Sequence, residues 1–114
     1  MNYYNLARQL AMNVKGKYKV AAVVLDKRGR ILSTGTNSYV KTHPIQARFS
    51  NMTGSEHRIY LHAEISALVK CRGAGHKIFI LRVGTDNQDL PAKPCPICEL
   101  AIKEYKIKIV EYTT

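Results

Sequence analysis

The sequence predicts an α/β fold, a mixed sheet of about four strands opened by an antiparallel hairpin and flanked by helices. Three observations lead there. Two apolar runs, residues 18–26 and 31–40, are separated by a short turn containing Gly29, which is the pattern of a hairpin. Helical periodicity recurs near the start of the chain, after His62 and after Cys95. Each of the last two helical segments is followed by a strand-like run, and strand–helix–strand units favour parallel pairing.

The elements follow in order. Residues 3–14 space Leu6, Leu10 and Val14 four apart, with Tyr3 and Ala7 alongside; Asn2 suits the cap and Gly16 the stop. YKVAAVVLD, residues 18–26, is compact and rich in β-branched residues, and its small Ala21 and Ala22 leave room for a helix or a ligand to pack close. DKRGR turns the chain into ILSTGTNSYV. Residues 41–61 are the least regular stretch: Pro44 opens a short helix through Phe49, and Gly54 and Ser55 suggest a turn. A loop of that length is uncommon in a compact domain unless it serves a function. HAEISALVKC sets Ala63, Ala67, Leu68 and Cys71 in helical register, stopped by Gly73 and Gly75. KIFILRV, Lys77 to Val83, is a strand, and GTDNQDLPAKP a polar loop. CPICELAIKEY begins a third helix with Pro96 in its first turn, and KIKIVEYT is a final, imperfectly alternating strand.

The 114 residues suit one domain spanning 1–114. With 46% apolar and 23% charged residues, the composition is that of a soluble globular protein rather than a disordered one. The net charge of +10 points to an anionic partner, nucleic acid first and a small phosphorylated substrate second, against the alternative of a basic surface kept for solubility. Three cysteines make no disulfide framework, and the close pair Cys95 and Cys98 reads as a metal or redox site in a reducing compartment. The N-terminus lacks a signal-peptide pattern, and no apolar run approaches the ~18 residues of a membrane span. The expectation is a soluble, intracellular, cytoplasmic protein without a membrane partner.

Two short motifs carry chemistry: His62-Ala63-Glu64 and Pro94-Cys95-Pro96-Ile97-Cys98. Each falls where a loop becomes a helix. Cys95 and Cys98, three apart, project from one helix face, where the helix dipole favours thiolate. With His62 they make a nitrogen–sulfur set suited to Zn²⁺. Three protein ligands leave a fourth position for water, the mark of a catalytic ion. Cys71 follows His62 by nine residues, roughly 13 Å along a helix and on its opposite face, so it reads as an ordinary buried thiol. His43, His57 and His76 stay open as fourth ligands of a closed structural site, and CPIC alone also matches a redox pair. Glu64, two residues beyond a ligand, is placed to move protons for a zinc-held water, the alternative being a carboxylate that stabilises a helix N-terminus.

His-x-Glu followed by Pro-Cys-x-x-Cys resembles the signature of the cytidine deaminase superfamily. AAVVLDKRGRILSTGTNSY looks like that family's first two strands, and the element order is similar, so the likeness covers nearly the whole chain. It implies a three-layer α-β-α fold and zinc-dependent hydrolytic deamination of cytosine to uracil. His62, Cys95 and Cys98 would hold one catalytic zinc and Glu64 would carry protons. Asn37 matches a residue contacting sugar or base, Ala63 one whose backbone N–H meets the base, and Pro94 one shaping the loop before the first Cys. The sequence ends soon after its fourth strand, which predicts an open sheet edge for a second subunit of a homo-oligomer to cover.

The substrate is less determined. Lys41, His43, Arg48, His57 and Arg58 lie in the long loop, opposed by Glu56 alone and interleaved with Tyr39, Phe49 and Tyr60. Cations with aromatic faces suit cytosine in single-stranded nucleic acid, with Lys41 and His43 as contacts. The alternative is a free nucleotide or nucleoside of the dCMP or cytidine type. Below these stand an adenine deaminase and a non-catalytic zinc-containing nucleic-acid-binding module.

Overall fold

A computed structural model describes residues 2–54 and 60–114. His57, Arg58 and Glu56 of the basic loop, and Ser55 of the expected turn, lie outside the described residues. The order of elements is α1 (Tyr3–Met12), β1 (Lys19–Leu25), β2 (Ile31–Thr36), α2 (Pro44–Met52), α3 (Ala63–Cys71), β3 (Lys77–Val83), β4 (Asp89–Leu90), α4 (Pro96–Glu104) and β5 (Ile109–Tyr112).

β1 lies between β2 and β3 and is antiparallel to both, while β5 runs parallel to β3 on that strand's far side. The two-residue β4 pairs with the end of β3, at Arg82 and Val83. The sheet therefore has five strands rather than about four. The fifth was hidden in a polar loop because two residues of strand carry no periodicity of their own. The hairpin turn is held by Asp26, whose carboxylate accepts from the backbone of Arg28 and Arg30 and from the Arg30 side chain.

Alternation along the strands splits the core into two layers. Ala21, Val23, Leu25, Phe79, Leu81 and Val83 face α1, whereas Ala22, Val24, Ile78 and Ile80 face the other helices. This is the three-layer arrangement, and each small alanine of β1 admits a helix on its own side. Asn2 caps α1 through Tyr4 N–H at 2.8 Å, but the helix ends at Met12 and buries Ala7 and Ala11 rather than the Leu6–Leu10–Val14 stripe. The two alanines let α1 lie close on the sheet. Its start is tied down by Tyr3 to Glu111 at 2.7 Å and its middle by Arg8 to Asp89 at 2.6 Å.

α2 continues past Phe49 to Met52, capped by His43 Nδ1, which accepts from Ile45 N–H at 3.0 Å. Phe49 is fully buried, a core residue and not part of an aromatic binding face. At the free edge, β5 exposes Ile109 and Val110. Among the described residues no helix is long and apolar enough to cross a membrane.

Contact between α3 and β2 aims the start of α3. Ser33 donates to the Ala67 carbonyl at 2.6 Å, and Lys70 to the Thr34 carbonyl at 3.1 Å. Next along β2, Gly35 meets helix backbone nearer the start of α3: a Cβ there would stand 2.5 Å from the Ala63 oxygen and 2.6 Å from the Ala67 nitrogen. Backbone cannot step aside as a flexible side chain does. Gly35→Ala is therefore expected to destabilise the fold by about 1–3 kcal/mol, seen as a lower urea midpoint at unchanged m-value. An unchanged midpoint would show that α3 does not need this close approach.

Candidate active site

His62 and Cys95 are the N-cap residues of α3 and α4, both with extended backbone, and neither side chain caps its own helix. Both turn toward the space between the two helix starts. His62 Nδ1 stands 3.2 Å from Cys98 Sγ and 3.6 Å from Cys95 Sγ. All three donor atoms lie within 4.8 Å of one another. Bond lengths of about 2.0–2.3 Å in a tetrahedron place such donors roughly 3.6–3.8 Å apart, so the set fits Zn²⁺.

Among the described residues no fourth His, Cys, Asp or Glu joins this group. His43 is engaged at the α2 cap, and His76 bridges the Leu25 and Lys108 backbones beyond the opposite end of α3. Cys71 is buried at that end too, its thiol on the Leu68 carbonyl at 3.1 Å. Of the three histidines left open as fourth ligands, His43 and His76 are thus placed elsewhere, and His57 lies outside the described residues.

The electrostatics suit a cation. The Cys98 thiol hydrogen-bonds Cys95, which with His62 nearby holds the Cys95 thiol down at about 4. The same bond, reinforced by burial, pushes Cys98 well above the ordinary thiol range. The pair shares a proton that a divalent ion would replace. Glu64, in the first turn of α3, is buried and lines the same cavity as His62 and Cys95. Burial raises its pKa, opposed by backbone hydrogen bonding and by His62.

The site has a support from α2. Gln46 is fully buried; its Oε1 accepts the His62 N–H at 3.0 Å and its Nε2 donates to Ser50 Oγ at 3.3 Å. No spacing rule flags Gln46, because its partner is sixteen residues away across a loop.

A cavity of about 680 Å³ opens over Glu64, His62 and Cys95. Asn37 and Ala63 also line it, as do Tyr18, Tyr39, Tyr60, Arg82 and Lys93. The Asn37 amide is bonded to β1, accepting from Val20 N–H at 2.9 Å and donating to the Tyr18 carbonyl at 2.9 Å. Lys41, His43 and Pro94 are not among the lining residues: Lys41 is exposed, His43 caps α2 and Pro94 is buried behind Cys95.

The model of the cytidine and deoxycytidylate deaminase zinc-binding region matches residues 1–114. The chain belongs to that deaminase family. Two crystal structures of cytidine deaminase from Mycobacterium tuberculosis resemble this chain in fold. One, of a mutant, has a TM-score of 0.51 and 19% identity, covering 95% of this chain and 84% of that one. The other has a TM-score of 0.51 and 18% identity, covering 97% and 85%. No curated protein sequence matches the chain. The family binds zinc, and His62, Cys95 and Cys98 are the residues here that suit it.

Tyr18, Arg82 and Lys93 are cavity residues that motif reading passes over. Arg82 did leave a signal: in KIFILRV it shares a face with Ile78 and Ile80, where an apolar residue is expected.

Proposed function

We propose that this protein catalyses the hydrolytic deamination of cytosine to uracil, and that its substrate is cytosine within a single-stranded nucleic acid. The observation that carries the chemistry is a buried Glu64 beside the His62, Cys95 and Cys98 donors, at a cavity large enough for a nucleotide. Zinc held by those donors supplies a water acidified enough to act as nucleophile at neutral pH.

The chain's own groups do the rest. The Ala63 backbone at the start of α3 and the cavity walls orient the base. The Glu64 carboxyl holds a proton for the ring nitrogen N3 and then moves one to the departing amine at C4. Its burial suits this alternation, since a raised pKa brings a carboxyl nearer neutrality. One water is consumed and one ammonia released for each cytosine converted.

Support for a strand comes from the rim. Tyr18, Tyr39 and Tyr60 are about half exposed around the cavity, interleaved with Arg82 and Lys93, in a chain of net charge +10. Aromatic faces stack bases without regard to sequence, and cations follow the backbone. Three free cysteines suit a reducing, intracellular setting.

The test is ammonia release by zinc-loaded protein from cytidine, dCMP and a cytosine-containing single strand in parallel. Turnover on the strand, falling steeply with salt, is the expected result. Turnover on dCMP alone would keep the deaminase and discard the strand. Silence on all three would overturn the reading.

A further inference from the structure

Strand β3 turns Ile78 and Ile80 into the core beneath α3 and α4, and both are fully buried. Alternation brings Arg82 to the same face. Its cross-strand neighbours are apolar, Val20 on β1 and Leu90 on β4. A guanidinium in such a place is costly unless it is paired.

Among the described residues no carboxylate pairs with Arg82. Its Nε is buried and hydrogen-bonds to nothing among the described residues. Arg8, Arg30, Arg48 and Lys77 each meet a carboxylate there, and Arg82 does not. What it has is an aromatic support, with its central carbon 5.1 Å from the centroid of Tyr18.

That support is fixed. Tyr39 Oη accepts from Tyr18 N–H at 2.6 Å and donates to its carbonyl at 3.1 Å, and Asn37 donates to the same carbonyl. Gly16 makes room for the Tyr39 ring: a Cβ there would lie 2.4 Å from a ring carbon, and φ is +133°. The cation is thus held ready at the cavity wall, with the exposed Lys93 lining the same cavity.

We propose that Arg82, stacked on Tyr18 and assisted by Lys93, is a phosphate subsite that selects cytosine carried on a phosphate ester. This rests on the deaminase reading for the base and adds the group that the cavity requires beside it. The planar guanidinium of Arg82, at the cavity wall and without a carboxylate among the described residues, presents a fork of N–H donors that matches two oxygens of a phosphate. The ester is either the monoester of a free nucleotide or the diester of a strand.

The experiment compares zinc-loaded wild type, Arg82→Gln, Arg82→Lys and Lys93→Gln on deoxycytidine, dCMP and a cytosine-containing strand. In Arg82→Gln the preference in kcat/KM for phosphorylated substrate over deoxycytidine should fall roughly 10- to 100-fold, the value of a charge-assisted contact. Arg82→Lys should recover part of it, and the exposed Lys93→Gln, which threatens no fold, should lose a smaller share. A loss confined to dCMP identifies the monoester, and a loss on the strand the diester. Equal losses on all substrates, or none, overturn the subsite. Inorganic phosphate gives an arm independent of turnover: at fixed ionic strength it should raise the Tm of wild type but not of Arg82→Gln. If nothing is deaminated, the deaminase reading fails and this shift alone decides the subsite; equal shifts in both proteins overturn it.

Discussion

Replacing Glu64 with Gln is expected to lower kcat by about 10²–10⁴-fold, the usual contribution of a positioned proton carrier, while zinc content stays at that of wild type. Glutamine keeps the shape of the side chain, but it cannot hold and release a proton at N3 or at the departing amine. His62, Cys95 and Cys98 do not depend on it for their place, since two are helix caps and the third is packed in the core. Stability should move the other way. An ionisable group almost wholly out of solvent is a burden on the fold, and a neutral amide relieves part of it. The informative result is therefore a Tm equal to or above wild type alongside the fall in kcat, a pattern that misfolding would not give. Metal analysis, thermal unfolding and ammonia release on one preparation check it. Turnover within a few-fold of wild type would remove Glu64 from the chemistry.

The parts legible in the sequence are those where one short segment decides the outcome. Lys77–Val83 is a strand with the expected ends because Gly75 and Gly84 bound an apolar run. The His62 and Cys95 helix starts are visible because Pro96 and the residue spacing mark them locally. What was not legible depends on distant partners. β4 exists only because β3 offers Arg82 and Val83 an edge to pair with. α1 turns its alanines to the sheet because the sheet is there, and four-residue spacing alone cannot choose between adjacent stripes. The loop reading placed the cations of the cavity at Lys41 and His43, but the described residues bring Arg82 and Lys93 there instead, one from a strand end and one from the segment before Cys95. Gln46 supports His62 across sixteen residues, a pairing without local periodicity.

Removing the metal, or Cys98 with it, should have the second large effect, on stability and turnover together. Outer partners of a metal ligand typically tune affinity by about 10- to 100-fold, so loss of one of three ligands should exceed 100-fold. Cys98→Ala is the sharper variant because Cys98 is fully buried between α3 and α4, and its sulfur meets His62 Nδ1 at 3.2 Å. At free zinc about a hundred times its Kd, binding stabilises the folded chain by ~2.7 kcal/mol, roughly 10 °C in Tm for a chain of this length. Wild type stripped by a chelator should lose about that much and regain it, with its turnover, when zinc returns. Cys98→Ala should start low, respond little to added zinc and show no measurable ammonia release. The small packing loss of one sulfur lowers its Tm whether or not metal binds, so the decisive quantity is the zinc-dependent increment. An increment equal to that of wild type would mean that zinc is held elsewhere and that the clustering of His62, Cys95 and Cys98 is a feature of packing alone.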